Sequence, residues 1–414
     1  MIAVFVNERM LGVMMDKNHI KEKIIQLGSI GRSSQGGINR VFGSNNLNIA
    51  QSFVKDYMQE AGMESWIDPI GNVHGLYNCP NSSAQTILTG SHIDTVEDGG
   101  MLDGVLGLVG AVECVRELHL THSPLKHHIH VIATNGEEGN DLGGTVGSRT
   151  MMGLLDYHDP DFLKKAAQFH FKADDFEKAQ IDTSHMKCYL ELHIEQGNTL
   201  ELNHKDIGIV TGIVGLERYL LTVKGINNHA GTTMMPYRKD ALVEAAQIIL
   251  MVDSLARELK NHFVATVGKL KIYPNSVAVI PGLVELVLEF RNQDQQLMDR
   301  FIDVLQQRVK NFADVDYSLL IKKSPVNCSP YIVQCVQEIC MEKHIRYCTM
   351  PSGATHDGNA MASQMPIGMI FVPSRGGISH NRLEWTDWNQ IYTGIEILYY
   401  TLKKLGESDE VINY

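Results

Sequence analysis

The sequence contains no run of the roughly 18 apolar residues that a membrane-spanning helix needs, so a membrane protein of that type is not expected. It is short of basic charge. Lys and Arg number 36 against 48 Asp and Glu, a formal net charge of −12. A nucleic acid or an anionic lipid surface would be repelled on average, and neither is an expected partner. Cysteine is sparse and odd in number, with 7 residues at scattered positions and no CxxC pair. That pattern fits reduced thiols in a cytoplasmic protein rather than a disulfide framework. The opening MIAVFVNERMLGVMMDK lacks a basic leading region and is interrupted by Asn7, Glu8 and Arg9. It does not read as a signal peptide, and Met14 or Met15 are alternative starts.

What the chain does have is length and histidine. Its 414 residues suggest two or three domains at about 150 residues each. The 18 histidines invite a search for metal ligands. Short apolar runs alternate with longer helical patterns, which points to an α/β architecture. Asn46–Ala61 and Gly104–Leu118 have helical spacing. Gln85–Thr89, His128–Thr134, Cys188–His193 and Gly368–Val372 read as buried strands. From about Arg218 to Val326 the predicted order is β-α-β-β-α-β, that of a ferredoxin-like unit. The division expected is therefore a catalytic domain of residues 1–214 plus 327–414, a mixed sheet flanked by helices, interrupted by an inserted domain of residues 215–326.

The four buried runs each end on chemistry. Ser91-His92-Ile93-Asp94 follows the first, and Gly136-Glu137-Glu138-Gly139 the second. His193 closes the third, and Gly377-Ile378-Ser379-His380 follows the fourth. In open α/β sheets, ligands bind outside the carboxyl ends of the strands, so these residues can converge on one edge. Asp103 joins them from the glycine-bracketed turn Gly99–Gly104. Three imidazoles (His92, His193, His380) and two carboxylates (Asp103, Glu138) are too many for one catalytic Zn²⁺ with an open position. They suit two divalent ions about 3.5–4 Å apart with Asp103 bridging. His92, Asp103 and His193 would hold one ion, and Asp103, Glu138 and His380 the other. Zn or Mn fits such a set, with Co or Ni also possible. Asp94 is expected to accept the second ring N–H of His92. Glu137, unliganded, would take the proton of a metal-bridging water and pass it to a leaving nitrogen.

The same segments carry a resemblance. GSHIDTVEDGGMLDG, the EEG segment, ELHIEQG, GIVTGIVGLERY with NHAGTT, and FVPSRGGISHN together resemble the hydantoinase/carbamoylase family of amidases, among the dinuclear zinc aminoacylase and carboxypeptidase-like metallohydrolases. The resemblance runs from about Gly36 to about Tyr400, and ELHIEQG and NHAGTT are the parts specific to this branch. Members include N-carbamoyl-L-amino acid hydrolases, allantoate and ureidoglycolate amidohydrolases and β-ureidopropionases. The resemblance implies that the smaller domain dimerises. It implies the metal and base roles given above. It also implies that His229 reaches the partner subunit's site to stabilise an oxyanion, that Gln196 lines the substrate pocket, and that Arg218 and Arg291 grip a substrate carboxylate. Arg291 ends the alternating run Leu283–Arg291 on its polar face, where a planar guanidinium suits a carboxylate. A plain salt bridge with Glu285 or Glu289 is the alternative.

Three places depart from the family pattern. Ala278 stands where a substrate-contacting Asn is usual, Thr355 replaces a Gly, and Asn140-Asp141-Leu142-Gly143-Gly144 follows the acidic pair. The expected activity is hydrolysis of the linear C–N bond of a ureido carboxylate, allantoate or an N-carbamoyl-L-amino acid, by a cytoplasmic homodimer. The alternatives are an aminoacylase or peptidase of the same superfamily, and a non-catalytic dimeric binding protein.

Overall fold

The computed structural model describes residues 15–259 and 262–413, so the candidate leader lies outside the described residues as far as Met14. The chain divides into two units. The first comprises Met1–Thr211, Cys328–Met350 and His356–Tyr414, and the second Gly212–Asn327 with Pro351–Thr355. Among the described residues no helix is long and apolar enough to cross a membrane.

The first unit is built on a mixed sheet whose order is Glu64–Ile67, Val73–Tyr77, His128–Thr134, Thr86–His92, Met186–Ile194, Ile367–Val372, Ile207–Ile213. The four central strands run parallel. Parallel strands are covered on both faces, which is why their sequences are continuous apolar runs instead of alternating ones. His128–Thr134 and Ile367–Val372 are buried at every position. The antiparallel neighbours Val73–Tyr77 and Ile207–Ile213 were not anticipated from the sequence.

The helix Val105–Leu120 is apolar around most of its circumference because it is sandwiched between the sheet and the long helix Trp388–Glu407. The helix Asn45–Glu60 starts at Ser44, whose side chain accepts the N–H of Leu47.

The second unit has the order strand Gly215–Lys224, helix Ala241–Leu259, strands Val264–Tyr273 and Leu283–Asn292, helix Gln295–Val309, strand Asp314–Lys323. Its antiparallel sheet places Gly215–Lys224 and Leu283–Asn292 in the centre. Along Leu283–Asn292 burial alternates strictly, with Val284, Leu286, Leu288 and Phe290 in the core beneath the helices. Each such side chain contributes about 1.5–3 kcal/mol by leaving water. The opposite face carries Glu285, Glu289 and Arg291. A short ribbon pairs Asn228–His229 with Val279–Ile280.

Candidate active site

The parallel strands Thr86–His92 and Met186–Ile194 end side by side and deliver His92 and His193, whose rings stack with centroids 5.7 Å apart. Asp103 is presented to both by the turn before the helix Val105–Leu120. Gly104 makes that turn possible. It has φ +67°, and a Cβ there would lie 2.3 Å from the carbonyl oxygen of His92. His380 arrives after Ile367–Val372 and Glu138 after His128–Thr134.

Among the described residues, three groups have donor atoms within 4.8 Å of one another, and two of them share Asp103: His92, Asp103 and His193, and Asp103, Glu138 and His380; the third is Glu191, His193 and His356. Asp103 Oδ1 lies 3.5 Å from His92 Nε2 and 3.2 Å from His193 Nε2. Asp103 Oδ2 lies 3.3 Å from His380 Nε2, which is 3.4 Å from Glu138 Oε1. One carboxylate thus faces both groups, with one oxygen towards each.

The ring tautomers make the donor set more specific. His92 Nδ1 is 3.0 Å from the carbonyl of Asp94, and His193 Nδ1 is 2.9 Å from that of Ile194. In each neutral ring Nδ1 therefore carries the proton, and the Nε2 lone pair points at Asp103. His193 Nε2 is buried and makes no hydrogen bond. Lone pairs converging on a carboxylate require positive charge between them, supplied by ring protons or by a cation. The residues present therefore fit a metal ion.

The electrostatics agree. Burial alone would raise the Asp103 carboxyl, but with ring protons supplying that charge the hydrogen bonds of His193, His380 and His92 hold it well below the usual carboxylate range. Hydrogen bonding to Asp103 and the charge of Glu138 push His380 up to about 9. Burial raises Glu138 to about 6. Burial, with the charges of Asp357, Glu138 and Asp94, raises Glu137 well above the ordinary range against the pull of His92. A carboxyl so placed binds a proton readily.

Asp94 requires a correction. Its carboxylate does not serve His92, whose Nδ1 meets the main-chain carbonyl instead and stands 3.8 Å from Asp94 Oδ1. The carboxylate turns to the next loop, accepting the N–H groups of Gly136 and Glu137 on Oδ1 and of Glu138 on Oδ2. Three main-chain donors outbid a single ring N–H that already has a carbonyl within reach.

Gln196, at φ +58°, donates its amide to Asp103, at 3.1 Å from Oδ2. Asn140 folds back to donate to the Glu138 carbonyl at 2.9 Å, and Arg149 closes the same loop on the carbonyls of Leu142 and Gly144. The Asn140–Gly144 departure is thus a self-bonded loop.

In the second unit, Arg218 and Arg291 share one partner. Arg218 Nε donates to Glu289 Oε2 at 2.9 Å, and Arg291 Nη2 to Glu289 Oε1 at 2.8 Å. A third donor, Arg291 Nη1, reaches the carbonyl of Gly353. The salt bridge held open as the alternative for Arg291 is therefore present. His229 is exposed, and its Nδ1 accepts the N–H groups of Gly231 at 2.9 Å and Thr232 at 3.3 Å.

Several site residues were missed. Glu191 lies beneath His193, accepts the Ser91 hydroxyl at 2.7 Å and is raised to about 7 by burial. His356 packs edge-on against His193, with ring centroids 4.6 Å apart. Glu384 accepts the N–H of Asp103. The spacing HDG offered a hint of His356. Nothing local marked the other two.

Imidazoles and carboxylates gathered at the carboxyl ends of parallel strands define an α/β protein with a candidate metal centre. The family model described as Peptidase family M20/M25/M40 matches residues 88–404, and the chain belongs to that family. It is 35% identical to an N-carbamoyl-L-amino acid amidohydrolase of Geobacillus stearothermophilus, over 96% of this chain and 100% of that protein. It is 34% identical to an allantoate amidohydrolase of Bacillus subtilis, over 94% and 98%. A crystal structure of a hydantoinase/carbamoylase family amidase from Burkholderia multivorans superposes with a TM-score of 0.87 at 28% identity, covering 96% of this chain and 99% of that one.

Proposed function

We propose that this chain is a cytoplasmic, homodimeric, metal-dependent amidohydrolase that cleaves the linear C–N bond of a ureido carboxylate, allantoate or an N-carbamoyl-L-amino acid. The observation that carries the reading is the placement of Asp103 between His92 and His193 on one side and Glu138 and His380 on the other. His92, Asp103 and His193 would hold one divalent ion, and Asp103, Glu138 and His380 a second, Zn²⁺ or Mn²⁺. Such ions polarise a carbonyl and acidify water.

The chain's own residues do the rest. Glu137, with its raised proton affinity, accepts the proton from the attacking water and returns it to the departing nitrogen. In His229 the backbone donors of Gly231 and Thr232 occupy Nδ1, so Nε2 carries the hydrogen and is free to donate to a carbonyl oxygen gaining charge. Arg291, preorganised by Glu289, offers its remaining N–H groups to the substrate carboxylate. Hydrolysis leaves the amine and carbamate, which decomposes to ammonia and carbon dioxide.

The test is ammonia release from allantoate, ureidoglycolate and a panel of N-carbamoyl amino acids with added Mn²⁺ or Zn²⁺. Turnover of at least one, abolished by chelation, is expected. The family's description as peptidases favours a second reading, hydrolysis of an N-acyl amino acid or dipeptide. Turnover of those compounds with the ureido panel inert would replace the first reading with the second.

A further inference from the structure

Glu384 is 4% exposed and lies far along the chain from the residues it serves. Its Oε1 accepts the N–H groups of Leu102 at 2.9 Å and Asp103 at 3.0 Å, the latter across 281 residues. Its Oε2 accepts the Ser379 hydroxyl at 3.0 Å, and that hydroxyl is 3.4 Å from Asp103 Oδ2. The carboxylate therefore ties the main chain of the turn carrying Asp103 to the residue preceding His380.

Two further observations show that the position is built for a carboxylate. All three partners are donors in this arrangement, which calls for a group with acceptors at both ends. Gly100 makes room for it, since a Cβ there would lie 2.1 Å from Glu384 Oε1. Burying a carboxylate beside Asp103 is costly. An apolar side chain would pack there without that penalty.

We propose that Glu384 is the positioning residue of the metal centre, fixing the Leu102–Asp103 backbone and the Ser379–His380 loop together so that Asp103 faces both ligand groups and His380 completes the second. This rests on the reading of His92, Asp103, Glu138, His193 and His380 as ligands. Glu384 touches no substrate. It acts through Asp103 and His380.

Chelator-stripped full-length protein, E384A, E384Q and S379A are titrated with Zn²⁺ by calorimetry, and the visible spectrum of each is recorded after loading with Co²⁺. Circular dichroism of the stripped proteins checks folding. E384A is expected to bind Zn²⁺ roughly 10–100-fold more weakly and to change the Co²⁺ absorption envelope. E384Q keeps one acceptor for the two amides and can donate to Ser379, so it should recover part of the loss, and S379A should lose least. If E384A does not fold, E384Q and S379A carry the test. Wild-type Zn²⁺ affinity and Co²⁺ spectrum in every folded variant would overturn the role of Glu384 while leaving the metal reading intact. A wild-type chain that takes up neither ion overturns that reading and this proposal together.

Discussion

The Asp94 carboxylate accepts the main-chain N–H of Glu138 at 3.0 Å. With Gly136 and Glu137 bound to its other oxygen, one side chain fixes the loop that carries both acidic residues of the pair. D94A removes all three bonds and frees the loop. Turnover should fall roughly 10–100-fold, the usual cost of losing a partner that orients a metal site. D94N should fare little better, because its amide nitrogen would face an N–H. Steady-state kinetics with metal content measured on the same samples checks this. Wild-type turnover in D94A would mean the loop holds its shape without Asp94.

Glu137 and Glu138 divide their work in the proposed chemistry, and substitution separates them. E137Q keeps the size of the side chain and removes the base. Metal uptake should stay at the wild-type level while ammonia release drops by about 10²–10⁴-fold. Elemental analysis alongside the ammonia assay reads both. A variant that loses its metal and its activity together would place Glu137 among the ligands.

His229 offers a donor from an exposed loop of the second unit, and the dimer reading assigns it to the neighbouring subunit's site. H229A should retain metal and lose turnover. Mixing H229A with E137Q protein leaves one intact site in each mixed dimer. Random pairing then restores roughly a quarter of native activity. No recovery after verified subunit exchange would argue that each subunit works with its own His229.

Glu289 holds both Arg218 and Arg291, and this preorganises two guanidiniums at the cost of one unit of positive charge. R291A should raise KM for a carboxylate substrate by roughly 10–100-fold, the scale of a lost charge-assisted bond, with a smaller change in kcat. R291K should not rescue it, because an ammonium cannot reproduce the fork. The matching neutral amide of the substrate is the control. If KM for the amide rises as much, Arg291 is not reading the carboxylate.

Much of this was legible in the sequence, for reasons that name its limits. His92 and His193 stood out because one follows and the other closes a short apolar run, and a parallel strand's direction fixes where its last residues lie. Val284, Leu286, Leu288 and Phe290 gave the inserted strand's inner face by simple alternation. The same alternation put Glu285, Glu289 and Arg291 on one face but could not say which acid the arginine takes. The partner of Asp94 was misjudged because a side chain two residues from His92 looks like its natural acceptor, and nothing in the sequence says that three main-chain donors from another loop are nearer. Glu384 was invisible for a related reason. Its bonds go to the main chain of residues 102 and 103, and a bond to an amide leaves no trace in the identity of the residue that donates it. The antiparallel strand Val73–Tyr77 contains His74 and Gly75, which break the apolar run that marks its neighbours.

That strand and its central neighbour His128–Thr134 share a buried histidine pair with a consequence for acid stability. His130 Nε2 and His74 Nδ1 are 3.0 Å apart, His74 Nε2 is 3.3 Å from Asp68 Oδ2, and Trp66 stacks on His74. Asp68 fixes the proton on His74 Nε2, so His74 Nδ1 accepts from His130. Burial pushes His130 down to about 3, against 6.5 for the free side chain, and a proton added to His74 would press in the same direction. The folded protein therefore keeps His130 neutral through a range where the unfolded chain protonates it. The contribution of this histidine is fully present above about pH 6.5 and is lost progressively as pH falls towards 3. One proton taken up on unfolding is worth about 1.4 kcal/mol per pH unit. Urea denaturation at pH 6 and pH 4 should show wild-type protein losing up to about that much more stability per pH unit than H130Q, which cannot titrate. H130Q is expected to be less stable than wild type at pH 7.5, where the pair is intact, with the gap narrowing in acid. A gap that stays constant from pH 7.5 to 4 would mean that His130 is protonated in the folded protein as easily as in the unfolded chain.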